Sequence, residues 1–165
     1  MAEPARAVAH VGISVPDIEA AADWYCRVFG LEKITEIGEL AAGGGGPIDD
    51  LCVDIFGEQF GAVKMAHLAS ANGVAIELFE FVKPAYEEPD QSFAYWRGGI
   101  FHFAFVASDA EHLAGVIEEN GGRQRSMMGR FFDDRPIRAC YCEDPWGTII
   151  EVISESHERA FANFS

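Results

Sequence analysis

The sequence predicts an α+β fold made of two copies of a βαβββ module, and an internal repeat supports this. The segment HVGISVPDIEAAADWYCRVFG, which starts at His10, resembles HFAFVASDAEHLAGVIEENGG, which starts at His102, and in both an Asp follows the His by seven residues. GVAIEL at residues 73–78 likewise matches GTIIEV at residues 147–152. A length of 165 residues is the size of one ordinary domain. We therefore predict a single domain with one module at residues 6–82, a linker at 83–98, a second module at 99–155 and a C-terminal tail at 156–165.

Each module is predicted to begin with a strand followed by a helix. Apolar side chains alternate over residues 7–15, which is typical of a strand with one covered face. The next segment, 18–29, has helical periodicity, with Pro and Asp before it and Gly after it. In the second module the strand is predicted at 100–106, and Ser108 is expected to begin a helix that runs to residue 119, through a capping box with the Glu three positions later.

The remaining segments of each module are predicted to be strands. They are residues 63–68 and 74–81 in the first module and 138–143 and 148–154 in the second. The sequence DPWG joins the last two strands as a turn. The first module is longer than the second, and the Gly-rich stretch GELAAGGGGPIDD is the expected place of the insertion.

Composition excludes several classes of partner. Lys and Arg number 12 against 27 Asp and Glu, so the net charge is −15, which repels nucleic acid and anionic membrane surfaces. No apolar run is long enough to span a membrane, and no signal pattern starts the chain, so we expect a cytoplasmic protein. The four cysteines contain no CxxC pair and are expected to be reduced, buried thiols.

The repeat places His and Glu at equivalent positions in both modules. His10 and His102 point away from the face that packs on the helices, and Glu77 and Glu151 interrupt apolar runs on the last strands. Two modules related by an approximate twofold axis would bring these four side chains to one centre. Two imidazoles and two carboxylates suit one divalent metal ion, with Zn, Ni, Co, Mn and Fe all open. Taken singly, each residue is also compatible with a structural role.

Four further residues are predicted to contact substrate. Phe79 shares a strand with Glu77, and His67 is polar among apolar neighbours on its own strand. Five arginines fall within residues 123–138, where Arg130 and Arg138 could attract an anionic substrate against the acidic background. Ordinary surface arginines are the alternative interpretation of that segment.

The same segments, with AIELFEF and EDPWGTIIEVIS, resemble the vicinal oxygen chelate superfamily, which includes glyoxalase I, methylmalonyl-CoA epimerase, extradiol dioxygenases, fosfomycin-resistance proteins and bleomycin-binding proteins. The resemblance covers nearly the whole chain. It implies one cupped eight-stranded mixed sheet around a metal, helices on the outer face, and a homodimer. It places the family's metal ligands on His10, Glu77, His102 and Glu151. A set of two His and two Glu resembles glyoxalase I and the epimerases more than the dioxygenases, whose iron is held by two His and one carboxylate.

These observations favour a glyoxalase-like metalloenzyme: an isomerase, epimerase or lyase. A metal held by four side chains would leave two neighbouring positions for adjacent oxygens of a small carbonyl substrate, and would acidify the proton beside the carbonyl. Glu151, and symmetrically Glu77, are the candidate bases. One alternative is an Fe(II) extradiol-type dioxygenase, which would not need Glu77. The other is a resistance-type protein that binds a small molecule without turnover.

Overall fold

The computed structural model describes residues 4–91 and 93–162. The chain divides into two compact units, and the boundary between them falls between Glu88 and Pro89. That boundary lies inside the predicted linker at 83–98. None of the helices in the described part of the chain is long and apolar enough to cross a membrane.

The described residues of the first unit form one five-stranded sheet and two helices. Its elements are β1 (His10–Ser14), α1 (Ile18–Phe29), β2 (Glu32–Lys33), β3 (Gly38–Ala41), α2 (Pro47–Phe56), β4 (Ala62–Ala69) and β5 (Ala75–Lys83). The strand order is β1-β5-β4-β2, and β3 also pairs with β4. β1 runs parallel to β5, whereas the other pairs are antiparallel. The strands predicted at 63–68 and 74–81 correspond to β4 and β5, and the remaining strand of the βαβββ module is split into β2 and β3.

The second unit repeats this topology. Its elements are β6 (Phe103–Val106), α3 (Ala110–Glu119), β7 (Arg123–Gln124), β8 (Gly129–Arg130), β9 (Arg138–Glu143), β10 (Ile149–Ile153) and α4 (His157–Phe161). The strand order is β6-β10-β9-β7, with β8 also paired to β9, and β6 is the parallel strand. The α+β class and the duplicated topology are confirmed. The single eight-stranded sheet is not confirmed, because within the described residues the strands hydrogen-bond in two sheets of five.

Helix α1 spans the predicted residues and is anchored at both ends. Asp17 is the N-cap, and its carboxylate accepts the backbone N–H of Ala20 at 3.0 Å. The N–H of Ile18 donates instead to Glu80 of β5 at 2.9 Å, so the helix start is tied to the sheet. Gly30 ends the helix with φ of 67°, a left-handed conformation that glycine adopts without strain. The apolar stripe of α1 is buried against one face of β4 and β5. The opposite face of these strands is therefore not covered by α1.

Helix α3 begins one residue later than predicted. Asp109, not Ser108, is its N-cap, and its carboxylate accepts the backbone N–H of His112 at 2.9 Å. A carboxylate at this position also interacts favourably with the positive end of the helix dipole, which a serine hydroxyl cannot match. The preceding strand β6 is shorter than predicted, because it begins at Phe103.

The insertion in the first module forms a helix, α2, that the sequence did not predict. Asp49 organises the Gly-rich stretch before it, since its carboxylate accepts the N–H groups of Ala41 and Gly46, both at 2.9 Å. A Cβ atom at Gly44 would lie only 2.6 Å from that carboxylate, which is why glycine is needed there. Cys52 of α2 is buried in an apolar cluster with Phe60 and Val63.

The described part of the C-terminal tail packs on its own unit. Ala160 of α4 is fully buried with Ile137, Ala139 and Ile153. The Arg135 guanidinium donates to the backbone carbonyl of Ala160 at 2.8 Å and so fastens the helix. The last three residues of the predicted tail lie outside the described part of the chain.

Candidate metal centre

In the first unit, the strand register brings one carboxylate between two imidazoles. Gly12 of β1 pairs with Glu77 of β5, and His10, two residues before Gly12, projects from the same face as Glu77. His10 Nε2 lies 3.3 Å from Glu77 Oε2. His67 of β4 is directly opposite Glu77, and its Nδ1 lies 3.1 Å from the other oxygen, Oε1. The side chain of Glu77 is 19% exposed, whereas that of His10 is 52% exposed.

The second unit repeats this His–Glu pair in the same register. His102 Nε2 lies 3.3 Å from Glu151 Oε2, and the Glu151 side chain is 13% exposed. The residue opposite Glu151 on β9 is Tyr141, at the position that His67 occupies in the first unit. The Tyr141 ring packs edge-on against His102, with 5.1 Å between ring centroids. Burial, and secondarily the charge of Glu151, raise the pKa of the Tyr141 phenol, so it stays neutral at physiological pH.

Each His–Glu pair has the chemistry and spacing of two adjacent metal ligands. Two donor atoms bound at right angles to one transition metal lie about 3.0 Å apart, since each metal–ligand bond is about 2.1 Å long. Both pairs come close to that spacing. Within residues 4–91 and 93–162, no group of three or more His, Cys, Asp or Glu side chains is arranged to hold a metal ion. The paired His and Glu of each unit offer two adjacent donors, and a transition metal in a protein usually takes at least three protein ligands.

The face around Glu77 is apolar beyond the imidazoles. Phe79 follows Glu77 on the same face of β5 and pairs with Met65 of β4, and its ring stacks on Phe81 with 6.0 Å between centroids. A Cβ atom at Gly12 would lie 3.2 Å from the Phe79 ring, so the absence of a side chain at Gly12 leaves room for this ring. An open cavity of about 390 Å³ borders Phe81 at the far end of the same face.

Aromatic rings and a buried ion pair support the pair in the second unit. Phe93 contacts the Tyr141 ring, and the Arg125 guanidinium lies 5.1 Å above Phe93. Arg125 and Arg123 both donate to Oε2 of Glu143, which shares the Tyr141 face of β9. Burial raises the pKa of the Glu143 carboxyl, but hydrogen bonds from Arg125 and Arg123 outweigh it and hold that pKa below its usual range.

A sequence model of the Glyoxalase/Bleomycin resistance protein/Dioxygenase superfamily matches residues 7–152. This range contains both His–Glu pairs and all of both sheets except Ile153, the last residue of β10. The chain belongs to this superfamily.

Relatives and solved structures of the superfamily agree with this assignment. The 2-epi-5-epi-valiolone epimerase of an Actinomyces species is 26% identical over 153 residues, which cover 91% of this chain and 80% of that protein. A glyoxalase family protein from Bacillus cereus has a TM-score of 0.71 at 19% identity and covers 88% of this chain and 91% of its own. A point mutant of FosX, a fosfomycin resistance protein from Listeria monocytogenes, solved with Mn(II) and 1S,2S-dihydroxypropylphosphonic acid, has a TM-score of 0.60 at 14% identity, covering 96% of this chain and 100% of its own. These two structural matches establish the shared fold.

Four of the five arginines in residues 123–138 bind groups of their own unit. Arg138 projects toward α3, where it pairs with Glu111 at 2.8 Å, and so it does not share a sheet face with Glu151. Arg135 binds backbone carbonyls, and Arg123 and Arg125 bind Glu143. Arg130, which pairs with Arg138 in the β8–β9 register, is exposed and has no ion pair among the described residues. The substrate contacts predicted for Arg130 and Arg138 stay predictions.

The sequence analysis did not identify two aromatic side chains near the His102–Glu151 pair. Tyr141 lies ten residues before Glu151, just as His67 lies ten residues before Glu77, so aligning the repeat further would have identified Tyr141. The ring of Phe93 belongs to the predicted linker, and no periodicity there points to His102 or its neighbours.

The four cysteines are free thiols, as predicted, and three of them are buried, but Cys26 is only partly buried. Cys140 and Cys142 are buried on the helix-packed face of β9, opposite the Tyr141 face, with 3.7 Å between their sulfur atoms. The hydrogen bond between them lowers the pKa of Cys140 and raises that of Cys142, because one thiol accepts and the other donates.

Proposed function

We propose that this chain is a metal-dependent isomerase, epimerase or lyase. One divalent ion would be bound by His10, Glu77, His102 and Glu151, and a Glu of this set would remove a proton beside a carbonyl of a small oxygenated substrate. The observation that carries the proposal is the same His Nε2 to Glu Oε2 spacing of 3.3 Å in both units. Two equivalent half-sites in a chain with duplicated topology fit a single shared ligand set. The epimerase named among the relatives supports the same reaction class.

When bound, the ion would act as a Lewis acid that polarises a substrate carbonyl and lowers the barrier to removing the adjacent proton. The side chains of this protein would supply the remaining steps. The Glu77 and Glu151 carboxylates stand among apolar and aromatic groups, which exclude water and strengthen electrostatic interactions in the site. A carboxylate positioned as a general base contributes about 10²- to 10⁴-fold to the rate.

The apolar groups beside Glu77 also favour a substrate with a hydrocarbon portion. Phe79 and Met65 lie next to Glu77 on the same face and would contact the part of the substrate that carries no oxygen. An anionic substrate would be attracted by Arg130, an exposed arginine of the second unit, against the net charge of −15.

The proposal is tested by elemental analysis of the purified protein, followed by deuterium exchange from solvent into a panel of hydroxy-ketones, thioesters and cyclitol ketones. We expect one divalent ion per set of four ligands, and exchange beside the carbonyl that disappears when the metal is chelated. Glu151→Gln should slow exchange at least 10²-fold. Glu119→Gln on the exposed surface of α3 is the matched control and should leave exchange unchanged.

The same variants separate the proposed activity from the other functions open to this superfamily. An isomerase should lose metal affinity and turnover together in Glu77→Ala. A Glu77→Ala protein that keeps its metal and consumes oxygen with catechols would instead identify a dioxygenase. Ligand binding by the metal-free protein without any exchange would identify a binding protein, and wild-type protein that takes up no divalent metal would refute the metal site.

A further inference from the structure

We propose that His67 is a positioning residue that holds Glu77 as a fixed metal ligand. The inference rests on the proposed metal site, and it distinguishes Glu77 from Glu151, which has no such imidazole contact opposite it among the described residues.

The two oxygens of Glu77 contact different imidazoles. Oε2 lies 3.3 Å from His10 Nε2 and is the oxygen placed beside the other proposed ligand of that unit. Oε1 lies 3.1 Å from His67 Nδ1, which is hydrogen-bond distance for an N–H donor. His67 therefore occupies the oxygen that His10 leaves free.

The backbone around His67 makes this contact rigid. His67 and Glu77 are directly opposite each other in the antiparallel pairing of β4 with β5, and both strands lie in the interior of their sheet. Their flanking residues Leu68, Ile76 and Leu78 are buried in the core. The His67 side chain is itself only 34% exposed. A ring fixed in this way restricts rotation of the carboxylate it holds.

The equivalent position in the second unit lacks this restraint. Tyr141 stands opposite Glu151, but its ring packs against His102 and Phe93. Among the described residues, His102 makes the one polar side-chain contact with the Glu151 carboxylate, at Oε2. Glu151 has to give up a single contact to turn away from its pair, whereas Glu77 would have to give up two.

This difference predicts that the loss of the His67 contact weakens metal binding, whereas the loss of the Tyr141 hydroxyl does not. A histidine or other group that hydrogen-bonds a ligating carboxylate is typically worth about 10- to 100-fold in metal affinity.

The test uses Mn(II) and Co(II) themselves as probes, titrated into the metal-free full-length protein at constant pH and followed by calorimetry and by the Co(II) absorption spectrum. We expect His67→Phe, which keeps a ring but has no donor, to weaken metal binding about 10- to 100-fold. We expect His67→Gln, whose amide can donate to Oε1, to recover most of that loss. Tyr141→Phe, at the equivalent position of the second unit, should bind metal as the wild type does. His112→Ala, which removes an exposed imidazole from α3, is the surface control.

The outcomes distinguish this inference from the proposed function. Wild-type protein that binds neither metal overturns both. Wild-type binding with unchanged affinity in His67→Phe overturns the role of His67 alone and leaves the metal site in place. Equal losses in His67→Phe and Tyr141→Phe overturn the difference between the two glutamates. Because His67→Phe and His67→Gln are compared with each other, and thermal unfolding of each metal-free variant is measured, a general loss of folding is recognised as such.

Discussion

Replacing Glu143 with Gln tests whether the buried ion pair of the second unit stabilises the fold around His102 and Glu151. The Glu143 side chain is 10% exposed, and its Oε2 accepts hydrogen bonds from Nε and Nη2 of Arg123 at 3.0 and 2.9 Å and from Arg125. Glutamine has nearly the same shape as glutamate, and its amide oxygen can still accept hydrogen bonds from the arginines. The substitution therefore removes the negative charge and changes little else.

The magnitude follows from how far each arginine can return to water. Leaving a fully buried charge without its partner costs about 3–5 kcal/mol, whereas an exposed ion pair is worth about 0–1 kcal/mol. Arg123 is 60% exposed and regains water, but Arg125 is 23% exposed and regains little. We therefore expect Glu143→Gln to lower the free energy of unfolding by about 1–3 kcal/mol at pH 7. Arg123→Ala should cost less, about 1 kcal/mol at most.

The assay is urea unfolding of wild-type and variant protein across pH, and the sign of the pH dependence is fixed by the direction of the pKa shift. The folded protein holds the Glu143 pKa below its usual value of 4.5. Its contribution is therefore fully present above that value and is lost as the pH falls through the folded-state pKa. The difference between wild type and Glu143→Gln should shrink under those acidic conditions. Equal stability at pH 7, or a difference that persists unchanged at low pH, would refute the stabilising role of the pair.

Further predictions concern the backbone of the two units. Gly115→Ala in the middle of α3 meets open space and should stabilise by about 0.5–1 kcal/mol in thermal unfolding. Gly122→Ala should instead destabilise by about 1–3 kcal/mol, because its Cβ would lie 2.5 Å from the Glu143 carbonyl oxygen; a neutral result would contradict that close approach. Asp17→Ala removes the cap of α1 and should cost about 1 kcal/mol by urea unfolding, while Asp17→Ser should retain most of it.

Much of the fold was predictable because its signals are local. Helix α1 has its stop and start residues within a few positions of its apolar stripe, and it spans the predicted residues. Strand β9 likewise has the predicted bounds. Helix α2 was not predicted, because a run of glycines precedes it and gives no helical signal. The carboxylate of Asp49, in the first turn of α2, holds this glycine-rich loop in place.

One part of the candidate site was predictable from the sequence and another part was not. The repeat by itself identified His10, Glu77, His102 and Glu151, and the structure places each His beside the Glu of its own unit. The contact between His67 and the second oxygen of Glu77 could not be predicted, because it depends on which residues of β4 and β5 stand opposite each other.

The sequence by itself determined the duplicated topology, the helix-packed faces and the residue types available as metal ligands, since periodicity and spacing along the chain encode these directly. Only the tertiary structure decided strand register, and register sets which polar atoms come within 3 to 4 Å. For that reason the equivalence of the two glutamates is a property of the sequence, and the difference in their surroundings, an imidazole in one unit and a packed phenol in the other, is a property of the fold.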